Sequence, residues 1–504
     1  MTGLTAKLAK DLDDCIIENF ADQIGMEMEL VRIAKREDLA NPAVIAALAT
    51  CADCGPVQKR LGNLPAAALH AGLGIALAGQ LRPPAALLAR ALHDGAARSV
   101  NAKPVLAVKG QKPLPAFANP ARLPAPVHAK TKQAMPRDEL DAFVRILVAG
   151  GEPPTEDYTP ASLAALGRAL VIGWLAFGGD PKHRWAALGP APFFDDATAR
   201  DLAAYAVALA PRVAMFSKAQ VLVDALGVMN SRVALGQLLE IATKLRTRSV
   251  QTRARAVFDA AAKRMGVKEH DLADKLMPTS ARPGEEAKVV KTTAKAFLKR
   301  LEQRMVESIT FSLHDFIEDV LQHPIAHRAA ANVLFAAKAK GKGKPLLFTI
   351  VGDALQDVTG KTVATPTSSE ISVVHPIELS TKQLADWKQR LPAQPFAQLA
   401  RPLEHLATTK ALQRHLRDLR GKTTTARNLF GLEGLGWHRG STPGGRFNEL
   451  ARELRGVTAT LSFEPGVFLV AGMTTEQRLE GVSIVAKKPQ PLAFSEIARE
   501  LARL

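Results

Sequence analysis

The sequence predicts a mainly helical protein with a C-terminal α+β domain. Three observations carry that reading. Aromatic residues make up only 5% of the chain while alanine and leucine abound, a composition suited to closely packed helices rather than β-sandwiches. From about residue 136 to 276, short segments carry apolar residues at helical spacing. At Leu346 the character changes, and β-branched and apolar residues cluster in short runs between Gly, Pro and Asp turns.

Residues 1–100 read as a helical N-terminal domain. MTGLTAKLAKDLDDCIIENFADQI has acidic residues where a signal peptide needs an apolar run, so it reads as an amphipathic helix and a cytoplasmic location is expected. Asn41 followed by Pro42 has the form of an N-cap with proline at the first helical position. Residues 101–135 are rich in proline and lysine without helical period, which predicts an extended surface connector.

Residues 136–345 read as a helical array. TPASLAALGRALVIGWLAFGG, SKAQVLVDALGVM and NSRVALGQLLEIATKL are typical segments, punctuated by Gly, Pro, Asp, Asn or Ser. No strict repeat period is visible, so the array is an irregular, HEAT-like one. A long helix, EEAKVVKTTAKAFLKRLEQRMVESI, follows, then helices over SLHDFIEDVLQH and PIAHRAAANVLFAAKAK and a basic tip, AKGKGKP. Residues 346–504 form the α+β domain, a small mixed sheet with helices. Its strands are expected in LLFTIVGD, EISVVHPIEL, TATLSFE, GVFLVAG and GVSIVAK. Helices are expected in STKQLADWKQRL, TTTARNLFGLEGLG and FSEIARELARL.

Several function classes lose support at this level. No stretch reaches the roughly 18 uninterrupted apolar residues of a membrane span. The three cysteines, Cys15, Cys51 and Cys54, suit a reducing compartment; CADCG has CxxC spacing but no second pair to complete a zinc site. GxSxG, HExxH and P-loop patterns are absent, and GDALQDVTGKT reads as a hairpin with polar turns around Asp353 and Asp357. In FSLHDFIEDVLQHPIAH, His314 and Glu318 share a helix face, as do Asp315 and Asp319. Pro324 breaks the helix after His323, so His327 points from the next one and a solvated face is expected instead of a metal site. Neither a metal nor a cofactor is expected.

Two candidate sites remain. Sixty-six basic against 49 acidic side chains leave a formal charge of +17, which favours anionic partners. Basic residues concentrate at Lys244–Arg255, Lys295–Arg304, Lys338–Lys344 and Arg414–Arg427. Lys338, Lys340, Lys342 and Lys344 alternate with Ala and Gly, a form suited to a phosphate backbone. With no aromatic platforms nearby, any nucleic-acid contact should be weak, sequence-independent and salt-dependent. The second candidate is a ligand pocket drawing on His375, Trp387, Gln394, Phe396 and Gln398. Against it stands a structural reading, in which His375-Pro376 and Gln394-Pro395-Phe396 are rigid corners and Trp387 and Phe396 bury the helix between them.

The spacing of several blocks resembles a bacterial domain-of-unknown-function family of molybdate-metabolism-regulator-like proteins, often fused to a WGR domain. GVMNSRVALGQLLEIATKLRTRSVQTRARAVFDAAAKRMGVKEHDLADKLMPT is similar to its helical core, and RLEQRMVESITFSLHDFIEDVLQHPIAHRAAANVLF to the next block. HPIELSTKQLADWKQRLPAQPFAQLARP carries the most distinctive signature: His375-Pro376, Trp387, Gln394-Pro395-Phe396 and Gln398. GLEGLGWHRG and LSFEPGVFLV resemble the closing blocks, so the likeness spans about 115–485. The chain departs from the family in two places. MPTSARPGEEAK stands where a β-rich stretch is usual, and no WGR domain is present. The resemblance transfers no catalytic activity. It implies accessory components working beside MoxR-type AAA ATPases and von Willebrand A-domain proteins. The function expected is therefore a non-enzymatic adaptor with a protein partner. A nucleic-acid-associated factor and an enzyme centred on His375 are the alternatives.

Overall fold

The computed structural model describes residues 41–49, 61–62, 64–79, 81, 83–100, 112–211, 215–229, 231–245, 247–279, 284, 286–339, 344–364, 369–391, 393–440, 446–468 and 474–504. Cys15, Cys51, Cys54, Lys340 and Lys342 lie outside the described residues. The chain divides into two units between Leu276 and Met277.

The first unit is helical. Its described helices are α1 (Pro42–Ala49), α2 (Ala66–Ala78), α3 (Pro83–Val100), α4 (Arg137–Val148), α5 (Pro160–Ala176), α6 (Trp185–Leu188), α7 (Asp196–Leu209), α8 (Phe216–Met229), α9 (Arg232–Lys244), α10 (Arg248–Arg264) and α11 (Glu269–Lys275). Helix starts follow the local chemistry. Asn41 Oδ1 accepts from Ala43 N at 3.0 Å, with Pro42 as the first helical residue. Asp195 caps α7 and Ser231 caps α9, each accepting from the backbone N–H three residues on.

Close approach needs small residues. A Cβ on Gly72 would lie 2.4 Å from Ile45 Cβ, where α2 meets α1; one on Gly227 would lie 2.1 Å from Val257 Cγ1, where α8 meets α10. Residues 112–135, expected as a surface connector, instead send Phe117, Ala118, Leu123 and Met135 into the core of this unit. Prolines deny the segment a helical period, but its apolar side chains still leave water.

The second unit has helices α12 (Glu286–Glu307), α13 (Leu313–Phe316), α14 (Pro324–Ala329), α15 (Thr381–Arg390), α16 (Thr409–His415), α17 (Ala426–Glu433) and α18 (Pro491–Leu501). Its strands are β1 (Phe311–Ser312), β2 (Leu334–Ala339), β3 (Leu346–Val351), β4 (Ala354–Gln356), β5 (Ser369–Val373), β6 (Thr423–Thr425), β7 (His438–Arg439), β8 (Arg446–Leu454), β9 (Val457–Phe468) and β10 (Glu476–Ala486). They form two antiparallel sheets of five strands, ordered β1-β5-β2-β3-β4 and β6-β10-β9-β8-β7. The C-terminal α+β character is as expected, with two antiparallel sheets in place of one mixed sheet. Short connections dictate this: β8 and β9 are joined by Arg455 and Gly456 alone, both at positive φ, the geometry of a tight hairpin.

Secondary structure departs from expectation at PIAHRAAANVLFAAKAK. The helix stops at Ala329, Asn332 takes φ 63°, and Leu334–Ala339 becomes β2, paired with β3 on one side and β5 on the other. Alternate residues of β2 enter two apolar clusters, Phe335 and Ala337 on one face and Leu334 and Ala336 on the other, so VLFAA is apolar without alternation and reads equally as helix. Phe297, Leu301 and Met305 lie on the buried stripe of α12; in the same core Phe335 and Phe348 stack and Phe316 meets both edge-on, with ring centroids 5.2–6.0 Å apart.

Candidate functional site

Of the candidate ligand residues, His375 joins a polar cluster inside the second unit, while Trp387, Gln394, Phe396 and Gln398 make their contacts elsewhere. His375 follows β5 and caps the turn Pro376–Glu378: its Nδ1 accepts from Ile377 N at 3.2 Å, and its own N–H donates to Glu378 Oε2. An accepting Nδ1 carries no proton, so the ring proton sits on Nε2, which donates to Glu496 Oε1 at 3.1 Å. Glu496 is fully buried on α18. Arg401 clamps it with Nε on Oε1 and Nη2 on Oε2, both at 2.7 Å, and reaches Glu302 of α12 through Nη1 at 2.7 Å. Arg499, one turn along α18, adds Nη2 to Oε2 at 2.7 Å.

Burial alone would raise the Glu496 carboxyl. The donors from Arg401, His375 and Arg499 outweigh it and hold the group well below the usual carboxylate range. Glu500, one turn further, is treated differently. Trp437 Nε1 donates to its Oε2 at 2.8 Å and Arg452 approaches only to 3.7 Å, so burial wins and pushes the carboxyl up to about 6. Arg452 fits because Gly436 has no side chain: a Cβ there would lie 2.5 Å from its Nη1.

Gln398, also fully buried, ties the first sheet to the turn before it. Its Oε1 accepts from Leu334 N at 2.8 Å, while Nε2 donates to Leu334 O and Val374 O. Gln394 Oε1 accepts from Leu399 N at 2.7 Å. Trp387 is buried with Leu334, Val374, Leu391 and Leu399, and Phe396, at φ 43°, packs against the main core. Both ring nitrogens of His375 and both oxygens of Glu496 are engaged by protein groups. This arrangement can hold elements together; it offers no lone pair for proton transfer.

The remaining candidates are dispersed. His314 is exposed and meets Glu318 at 3.6 Å. His323 caps α14 through Nδ1, and His327 bonds the carbonyls of Leu321 and Gly352. Among the described residues no three His, Cys, Asp or Glu side chains could share a metal ion, and no helix is long and apolar enough to cross a membrane. Lys338 and Lys344 are exposed, with Lys338 in register opposite Glu370. Asp357 caps the hairpin turn after β4, accepting from Thr359 and Lys361.

Sequence reasoning missed Glu496, Arg401, Arg499, Glu302, Glu500, Trp437 and Arg452. One signal existed. In FSEIARELARL both glutamates fall among the apolar positions of the helix, where solvated charges do not belong.

The comparisons with known proteins cover part of the chain. Residues 269–437 match a domain of unknown function, DUF4132. Glu302, His375, Arg401 and Trp437 lie within the match; Glu496 and Glu500 lie beyond it. Over 344 residues the chain is 22% identical to the uncharacterized protein YehI of Escherichia coli K12, an alignment covering 56% of this chain and 28% of the relative. The chain therefore spans well under a third of that relative's length. No solved structure matches.

Proposed function

We propose that this chain works as a non-enzymatic adaptor that binds another protein. The observation that supports this is the saturation of the His375–Glu496–Arg401 cluster: the groups best suited to chemistry are turned onto one another inside the fold. A centre for acid–base work needs a nucleophile or base open to substrate and donors aimed at a developing charge. The helical first unit supplies surfaces of the kind helical arrays use for partners. Arg264 joins the end of α10 to Gly227 O at 2.7 Å, close to the exposed Val228 and Met265. The resemblance to molybdate-metabolism-regulator-like proteins favours an ATPase-containing assembly as the setting, with a MoxR-type ATPase and a von Willebrand A-domain protein as the components to look for.

The test is a tagged full-length chain purified from the cells that make it. A stoichiometric protein partner is expected. Lys244→Glu, Lys263→Glu and Met265→Glu together should release it while leaving the helical content unchanged. Each altered side chain is exposed, and the ion pairs of Lys244 and Lys263 with the carboxylates four residues earlier stabilise little. A chain that purifies alone and converts a metabolite, with turnover abolished by His375→Ala, contradicts the reading.

A further inference from the structure

The first unit carries a half-open cleft of about 230 Å³ between α3, the turn at 116–118, the loop at 122–124 and α5. Its walls are of two kinds. Leu87, Phe117, Ile172 and Phe177 supply apolar surface, and Arg90, Arg98, Arg122 and Arg168 supply guanidinium groups against a single carboxylate, Asp94. Among the described residues only Arg168 has a close ion-pair partner, Asp201 at 2.5 Å.

The other three are held without a close counterion among the described residues. Arg98 Nε donates to the carbonyl of Arg122 at 2.7 Å, which fixes the direction of its side chain and, among the described residues, leaves its two terminal nitrogens available. The Arg122 guanidinium lies 5.4 Å from the centroid of Phe177 and has no oxygen partner among the described residues. Arg90 stands exposed at the mouth. Burial lowers the pKa of both Arg98 and Arg122, with only Asp94 opposing this at Arg98. Half-buried cations with one carboxylate among them repel one another and lose hydration, a cost that an incoming anion would reduce.

Three guanidiniums against one carboxylate leave a surplus of two positive charges, which matches a dianion. Planar forked donors suit the tetrahedral oxygens of a phosphate group. We propose that this cleft binds a small phosphate monoester, its phosphate bridging Arg98 and Arg122 with Arg90 at the entrance, and its carbon framework resting on Phe117, Ile172 and Phe177. The volume limits the organic part to about one ring.

Calorimetric titration of the full chain with phenyl phosphate, inorganic phosphate and benzoate tests this. Phenyl phosphate should saturate one site below about 1 mM. Benzoate, with the ring but a single charge, and inorganic phosphate, with the charge but no ring, should each bind roughly tenfold more weakly or worse. Arg122→Gln should lose roughly tenfold in affinity for phenyl phosphate. Arg90→Gln, an exposed change that spares the fold, should weaken binding by a smaller factor, and Lys338→Gln in the other unit should have no effect. Three results would each overturn the proposal: no saturation by phenyl phosphate, equal binding of benzoate, or arginine variants that bind as the parent does.

Discussion

Glu496 and Glu500 stand one helical turn apart on α18, and what their oxygens touch separates them. Glu496 takes donors from two arginines and a histidine, so its folded form holds a proton more weakly than the unfolded chain does. Its contribution to stability is present above the ordinary carboxylate value and is lost as pH falls. Glu500 has one indole donor and a distant arginine, and its value rises from 4.5 to about 6. That sign is opposite: its contribution is complete below pH 4.5 and lost as pH rises through about 6, amounting to about 2 kcal/mol. Glu500→Gln keeps an acceptor for Trp437 and removes the titration. Urea unfolding at a series of pH values should show the variant gaining about 2 kcal/mol on the parent between pH 4 and pH 7. A difference that stays flat across that range contradicts the assignment.

At the scale of elements, packing distances decide which glycines matter. Gly227 and Gly236 are both helical, and nothing lies within 4 Å of a Cβ built on Gly236, whereas Val257 blocks one on Gly227. Gly227→Ala should destabilise the chain by about 1–3 kcal/mol through overpacking. Gly236→Ala should stabilise it by about 0.5–1 kcal/mol through backbone entropy. Thermal unfolding of the pair checks both signs against each other. Much at this scale was legible in the sequence because its causes are local. The Asn41-Pro42 start, the hairpin around Asp357 and the His375-Pro376 corner all follow from neighbouring residues. Strand β2 was not legible, since its run reads alike as strand or helix until β3 and β5 are known to flank it. Nor was the partner of His375, because Glu496 lies 121 residues away and no periodicity links the two.

In the whole molecule, the histidine, glutamates and arginines of the buried cluster hold elements of the second unit together, which is what the proposed adaptor role requires of them. His375 joins the turn after β5 to α18, and Arg401 joins α18 to α12. A side chain kept for chemistry behaves differently from one kept for folding, because replacing a catalytic group commonly leaves stability unchanged or raises it. The most direct measurement is the unfolding free energy of His375→Ala in the full chain, by urea titration at neutral pH. A loss of roughly 2–4 kcal/mol is expected, from the cavity left by a fully buried ring and from the two hydrogen bonds removed at Ile377 and Glu496. A variant as stable as the parent, or more stable, would contradict it.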